Sequence, residues 1–163
     1  MRATILLLLD TGLRASEICS LDIRDLHLKE GYANVMGKGG RERRVEFSPR
    51  TGQALWKYIA SRGEKAQSTD PLLISRTGRG LDREDLAKRL HSLGLRAGVE
   101  KCHPHRFRHT FAVMFLRNGG SSLALQRLLG HSTMEMVRHY VKLSEVDLAQ
   151  AHRRASPVEN LRL

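Results

Sequence analysis

The chain has 163 residues, enough for one ordinary domain, and its 40% apolar content with 5% aromatics points to an aliphatic, helix-rich core. Lys and Arg number 28 against 17 Asp and Glu, a net charge of +11 that calls for a polyanionic partner, nucleic acid first and an anionic membrane surface second. Two cysteines, Cys19 and Cys102, make no disulfide framework and fit a reducing cytoplasm. The opening apolar run ends at Asp10 without a small-residue cleavage site, so it is no secretory signal, and it is far shorter than the ~20 residues of a membrane span.

Thr4 to Leu9 reads as a first helix closed by Gly12 as a left-handed cap, and Ala15 to Leu21 reads as a short second helix with Arg14 at its N-terminal end. Glu17, three residues after Arg14, is placed to hold that guanidinium in a fixed pose, and a fixed fork can bind two phosphate oxygens. Leu26–Leu28, Tyr32–Met36 and Arg43–Phe47 are short β-prone runs separated by glycine-bearing turns. They predict a three-stranded antiparallel meander with Lys38 at the tip between its second and third strands. The Gly37–Gly40 turn lacks Walker spacing and has no Ser or Thr after the Lys, which argues against nucleotide hydrolysis.

Ser48-Pro49 starts a helix whose apolar face carries Leu55, Tyr58 and Ile59. Leu72–Ile74 is a short apolar run expected to form one buried strand, and Asp82 caps a helix reaching about Gly98. His103-Pro104 opens a longer helix in which Phe107, Phe111, Met114 and Phe115 are expected to line one buried stripe, with Arg108 at its border. His105 and Arg108, three apart, are neighbours on that helix, and His105 lies in the first turn, where backbone amides favour phosphate. Ser121 to Leu129 forms another helix closed by Gly130, leaving His131 in a loop. Ser132–Glu135 reads as a capping box starting the helix of Tyr140 near Thr133, with Met134, Val137 and Val141 as its apolar contacts. Ser144–Asp147 is expected to start a last helix, with the chain fraying after Ser156-Pro157. The whole reads as one α+β domain over residues 1–163, mostly helical, with a small three-stranded antiparallel sheet.

Arg14, Lys38, His105, Arg108, His131 and Tyr140 together offer cations that can hold a phosphodiester and a phenol that can attack it. Zinc is a poor alternative, because Cys102, His103, His105 and His109 fit no standard ligand spacing, and the scattered acidic residues suit no two-metal nuclease.

The order of these pieces resembles the tyrosine recombinase, or phage integrase, family. The likeness rests on Thr11–Glu17, Gly37–Gly39 in a hairpin, His105–Ala112, Leu128–Ser132 and Tyr140, and spans nearly the whole chain. The resemblance implies a catalytic domain that cuts and rejoins double-stranded DNA through a 3′-phosphotyrosyl link, with neither metal nor ATP as cofactor. Tyr140 would be the nucleophile, Arg14 and Arg108 the clamp on the non-bridging oxygens, and His131 a further donor. Lys38 would protonate the leaving 5′-oxygen, His105 would assist proton transfer, and Glu17 would support Arg14. Arg41, Arg43, Arg44 and Arg106 are expected to contact DNA. Family members carry an N-terminal DNA-clamping domain, expected to be absent from this chain, and act as tetramers on two duplexes. Relaxation of the type IB topoisomerase kind and a non-catalytic DNA-binding module are the competing readings.

Overall fold

The computed structural model describes residues 1–37, 40, 42–63, 66–144, 152, 153, 156 and 158. The chain divides into two compact units, Met1–Phe111 and Ala112–Leu163.

The first unit begins with α1, Arg2–Thr11, which buries Ala3, Thr4, Leu7, Leu8 and Thr11. The helix stops at Gly12, whose φ of 63° is the left-handed conformation that glycine adopts without a Cβ penalty. Five residues, Ala15–Cys19, form α2, and a 3-10 turn at Ile23–Asp25 leads into the sheet. Strands β1 (Leu26–His27), β2 (Tyr32–Met36) and β3 (Glu42–Glu46) pair antiparallel in sequence order, as the meander predicts. In the register Ala33 faces Val45 and Val35 faces Arg43; Ala33, Val35 and Val45 are buried. Side chains alternate between sheet faces with period two, so Arg43 shares the core face while Arg44 and Glu46 share the other.

Ser48 caps α3 (Pro49–Ala60) by accepting from the Thr51 amide, and its own amide donates to Asp10 Oδ2 at 2.6 Å. Asp82 caps α4 (Arg83–Arg96) through the Asp85 amide. Helix α1 packs on α3 and α2 on α4, around a core that includes Leu7, Leu8, Leu13, Ile18, Leu55, Leu86 and Leu90. The expected strand at Leu72–Ile74 does not form. Its neighbourhood holds only isolated bridges, Asp22 with Pro71 and Ile74 with Gly80, although Leu72 and Leu73 are buried. Pro71 has no amide to extend a ladder. The Arg62 guanidinium instead takes the Pro71 carbonyl at 2.7 Å.

Helix α5, Pro104–Arg117, contributes its residues up to Phe111 to the first unit and the rest to the second. Its buried stripe is rotated from the one that the aromatic residues suggest. Arg108, Phe111, Ala112 and Leu116 are buried, whereas Met114 is exposed. Arg108, Ala112 and Leu116 recur every four residues, so the arginine stands within the apolar stripe instead of beside it.

The second unit continues with α6 (Ser122–Leu129), capped by Ser121 Oγ on the Ala124 amide and ended by left-handed Gly130. Helix α7 runs Glu135–Ser144, starting two residues later than expected. Val137 and Tyr140 are buried on it; Val141 is exposed, contrary to the expected face. The start expected for a last helix at Ser144–Asp147 falls, beyond Ser144, outside the described residues, and Ser144 itself is the last residue of α7. No helix among the described residues is long and apolar enough to cross a membrane.

Candidate active site

In the first unit, the stretch from Gly12 to Glu17 gathers three arginines. Arg14 is the N-cap of α2, in extended backbone conformation, and its amide donates to Glu17 Oε2 at 2.8 Å. Its guanidinium Nη1 donates to Glu17 Oε1 at 2.9 Å. Arg43 reaches the same carboxylate from β3, Nη1 to Oε1 at 2.9 Å and Nη2 to Oε2 at 3.0 Å. Arg108, buried on α5, donates from Nη1 to the Gly12 carbonyl at 2.8 Å. That carbonyl belongs to the cap of α1, so the left-handed turn at Gly12 both ends a helix and presents an acceptor to Arg108.

Glu17 is almost wholly buried. Burial pushes its carboxyl up, but the Arg43 hydrogen bonds, the Arg14 amide and the Arg43 charge outweigh that and hold it below the ordinary carboxylate value. The carboxylate is therefore ionised at neutral pH and fixes two guanidiniums.

His105 is exposed in the first turn of α5 and lies parallel to the His103 ring, centroids 6.5 Å apart. Its neighbour Arg106 is also exposed and donates to the Glu100 carbonyl at 2.7 Å. On the solvent-side face of the hairpin, Arg44 stacks over the Tyr32 ring at 3.7 Å and pairs with Glu46 at 2.6 Å. Lys38 and Arg41, the remaining expected hairpin residues, lie outside the described residues.

Arg43 is held within the protein. A residue assigned to DNA contact has both terminal nitrogens on Glu17 and a side chain only 17% exposed. Charge alone groups the hairpin arginines into one basic cluster. The period-two phase with Val45 was the signal that sets Arg43 apart from Arg44.

The second unit holds the phenol. Tyr140 is 7% exposed on α7, and its ring lies nearly parallel to that of His131, 15° between planes and 6.3 Å between centroids. His139 meets the same ring edge-on at 5.9 Å. The pose of His131 follows from the cap before it. Gly130 turns left-handed at φ 62°, and the His131 amide returns to the Gln126 carbonyl at 3.0 Å. Among the described residues, no group of three or more His, Cys, Asp or Glu side chains is placed to hold a metal ion.

The model of the phage integrase family matches residues 1–146. The chain belongs to this family. Curated relatives include the tyrosine recombinase XerC of Vibrio parahaemolyticus, 35% identical over 158 residues covering 96% of this chain and 51% of the relative. The tyrosine recombinase XerD of Oceanobacillus iheyensis is 38% identical over 93% of this chain and 54% of its own length. This phage integrase family chain thus spans about half the length of the curated relatives it matches. Among solved structures, XerA recombinase is 32% identical with a TM-score of 0.81, covering 95% of this chain and 57% of that one. XerH site-specific recombinase, bound to a palindromic difH substrate in a post-cleavage complex, is 26% identical with a TM-score of 0.77, covering 97% and 45%. The catalytic domain of bacteriophage HP1 integrase, 24% identical with a TM-score of 0.66 over 97% and 83%, shares the fold.

Proposed function

We propose that this chain is the catalytic portion of a site-specific DNA recombinase that cuts and rejoins duplex DNA through a covalent tyrosine intermediate. The Tyr140 phenolic oxygen attacks the scissile phosphorus. A 3′-phosphotyrosyl diester forms as the bond to the 5′-oxygen breaks, and Lys38 gives that oxygen its proton. Arg14 and Arg108 neutralise the non-bridging oxygens as charge builds on them, and His131 adds a donor. His105 takes part in proton transfer at the phenol. One diester replaces another, so the bond energy is retained and rejoining needs no ATP. Arg41, Arg44 and Arg106 contribute sequence-independent phosphate contacts. The working assembly is a tetramer of such chains on two duplexes, in the cytoplasm.

The observation that carries this reading is the family match over residues 1–146, a span that includes every residue from Arg14 to Tyr140 given a role. The burial of Arg108 and the shared Glu17 anchor support it, since each holds a guanidinium in one pose before substrate arrives.

The test is covalent trapping. The chain is incubated with a pool of nicked suicide duplexes of randomised sequence and resolved in SDS. A DNA adduct that is lost in Tyr140→Phe and persists in EDTA supports the reading. No adduct, or one that Tyr140→Phe leaves intact, overturns it.

A further inference from the structure

We infer that Arg43 is a positioning residue for Arg14: by occupying both oxygens of Glu17, it keeps the Arg14 guanidinium available to the phosphate. This rests on the function proposed above.

An ionised Glu offers about four acceptor sites. Here Oε1 receives Nη1 of Arg14 and Nη1 of Arg43, while Oε2 receives the Arg14 amide and Nη2 of Arg43. The two arginines use Glu17 differently. Arg43 gives it a two-nitrogen fork and is 17% exposed; Arg14 gives it one guanidinium nitrogen and stays 36% exposed. Arg43 is the anchor and Arg14 the group left accessible.

Removing Arg43 changes what Arg14 does. Glu17, buried and ionised, would have one guanidinium left among these contacts, and the stable geometry for a lone Arg–carboxylate pair is two parallel bonds. Arg14 would close onto both oxygens and be drawn from the pose that meets a phosphate. Arg43 also stands on the core face of β3, opposite Val35, so its fork fastens the hairpin stem to α2. The hairpin that bears Lys38 and the helix that Arg14 caps thus share one buried carboxylate. Lysine cannot reproduce this, because a single ammonium does not span two oxygens.

The test uses the full chain, Arg43→Gln and Arg43→Lys, each alone and combined with Arg14→Lys. Adduct formation is timed at saturating protein on a duplex recovered from the randomised pool, DNA affinity is measured separately, and thermal unfolding reports folding. The expected result is a rate lowered on the order of 10- to 10²-fold by Arg43→Gln with DNA affinity unchanged. Arg43→Lys should fall between wild type and Arg43→Gln. In the Arg14→Lys background, Arg43→Gln should cost almost nothing further, since its effect runs through Arg14. Full multiplication of the two effects overturns the inference, as does weakened DNA binding with an unchanged rate, the behaviour of a direct phosphate contact. If Arg43→Gln does not fold, the Arg43→Lys comparison in both backgrounds decides. A second readout is independent of cleavage: the guanidinium NMR signal of Arg14, assigned by its loss in Arg14→Lys, should shift in Arg43→Lys. An unmoved signal overturns the inference even if wild type forms no adduct, an outcome that counts against the proposed function alone.

Discussion

The Arg108 guanidinium, 96 residues beyond Gly12 in the chain, donates to the Gly12 carbonyl at 2.8 Å, while Arg14 begins its own anchor two residues further on. Two arginines of distant sequence origin are therefore fastened to one short turn. The left-handed glycine makes this possible, because the carbonyl it presents is one of the orphan acceptors at a helix end. A charged donor on that acceptor is worth more than a neutral one.

Arg108→Lys keeps the charge and removes the fork. The Gly12 carbonyl loses its partner inside the protein, which should cost about 1–3 kcal/mol of stability in urea unfolding. Adduct formation should fall on the order of 10²–10³-fold, the effect of losing one transition-state donor. A rate within threefold of wild type would place Arg108 in a purely structural role.

Gly94 lies inside α4, where alanine ought to stabilise the helix by about 1 kcal/mol. A Cβ there would overlap the Cys102 Cβ and lie 2.8 Å from the Val99 carbonyl oxygen. Neither obstacle is the end of a flexible side chain, so overpacking at about 1–3 kcal/mol should outweigh the propensity gain. Gly94→Ala is expected to unfold at lower urea than wild type; a higher midpoint would show that the α4–Cys102 turn yields.

Local signals made much of this fold readable. The Ser48-Pro49 and Asp82 starts, the Gly12 and Gly130 stops and the glycine-divided strands all depend on neighbours within four residues. Glu17 on Arg14 is the same kind of relation, an i,i+3 pair. What local signals miss has a different cause. Aromatic and sulfur side chains outweigh the small Ala112 in fixing the phase of the α5 stripe, which leaves Arg108 at its edge. Charge groups Arg43 with Arg44, although strand alternation sends them to opposite faces. Leu72–Ile74 carries strand composition, but whether a ladder forms depends on a partner strand, which lies outside any local window.

Cys19 is half-buried, and burial, assisted by the Asp82 charge against the opposing Arg83, raises its thiol to about 11. At pH 8 its thiolate fraction should be on the order of 10²-fold below that of an ordinary cysteine. Iodoacetamide should therefore label Cys19 slowly in the native chain and rapidly in urea, read by peptide mass spectrometry. The linkage has a sign. The unfolded thiol ionises first, near pH 8.5, so this group's stabilising contribution is complete below that pH and declines as pH rises toward 11. Equal native and denatured labelling rates would contradict the assignment.

Glu17 carries the opposite linkage. Its folded-state carboxyl is held below the ordinary value, so the unfolded chain takes up a proton first as pH falls. The stability it contributes is complete above about pH 4.5–5, where the unfolded carboxylate is ionised, and is lost as pH drops through the folded value. Glu17→Gln removes the titration and turns one side of the group into a donor facing two guanidiniums. At pH 7 the variant should be less stable than wild type, and the gap should narrow as pH falls toward 3, because the unfolded wild-type chain takes up a proton at Glu17 and the variant has none to take up. Urea midpoints taken from pH 7 to pH 3 measure this directly. Parallel curves for the two proteins would mean that the carboxylate charge does not hold the two arginines.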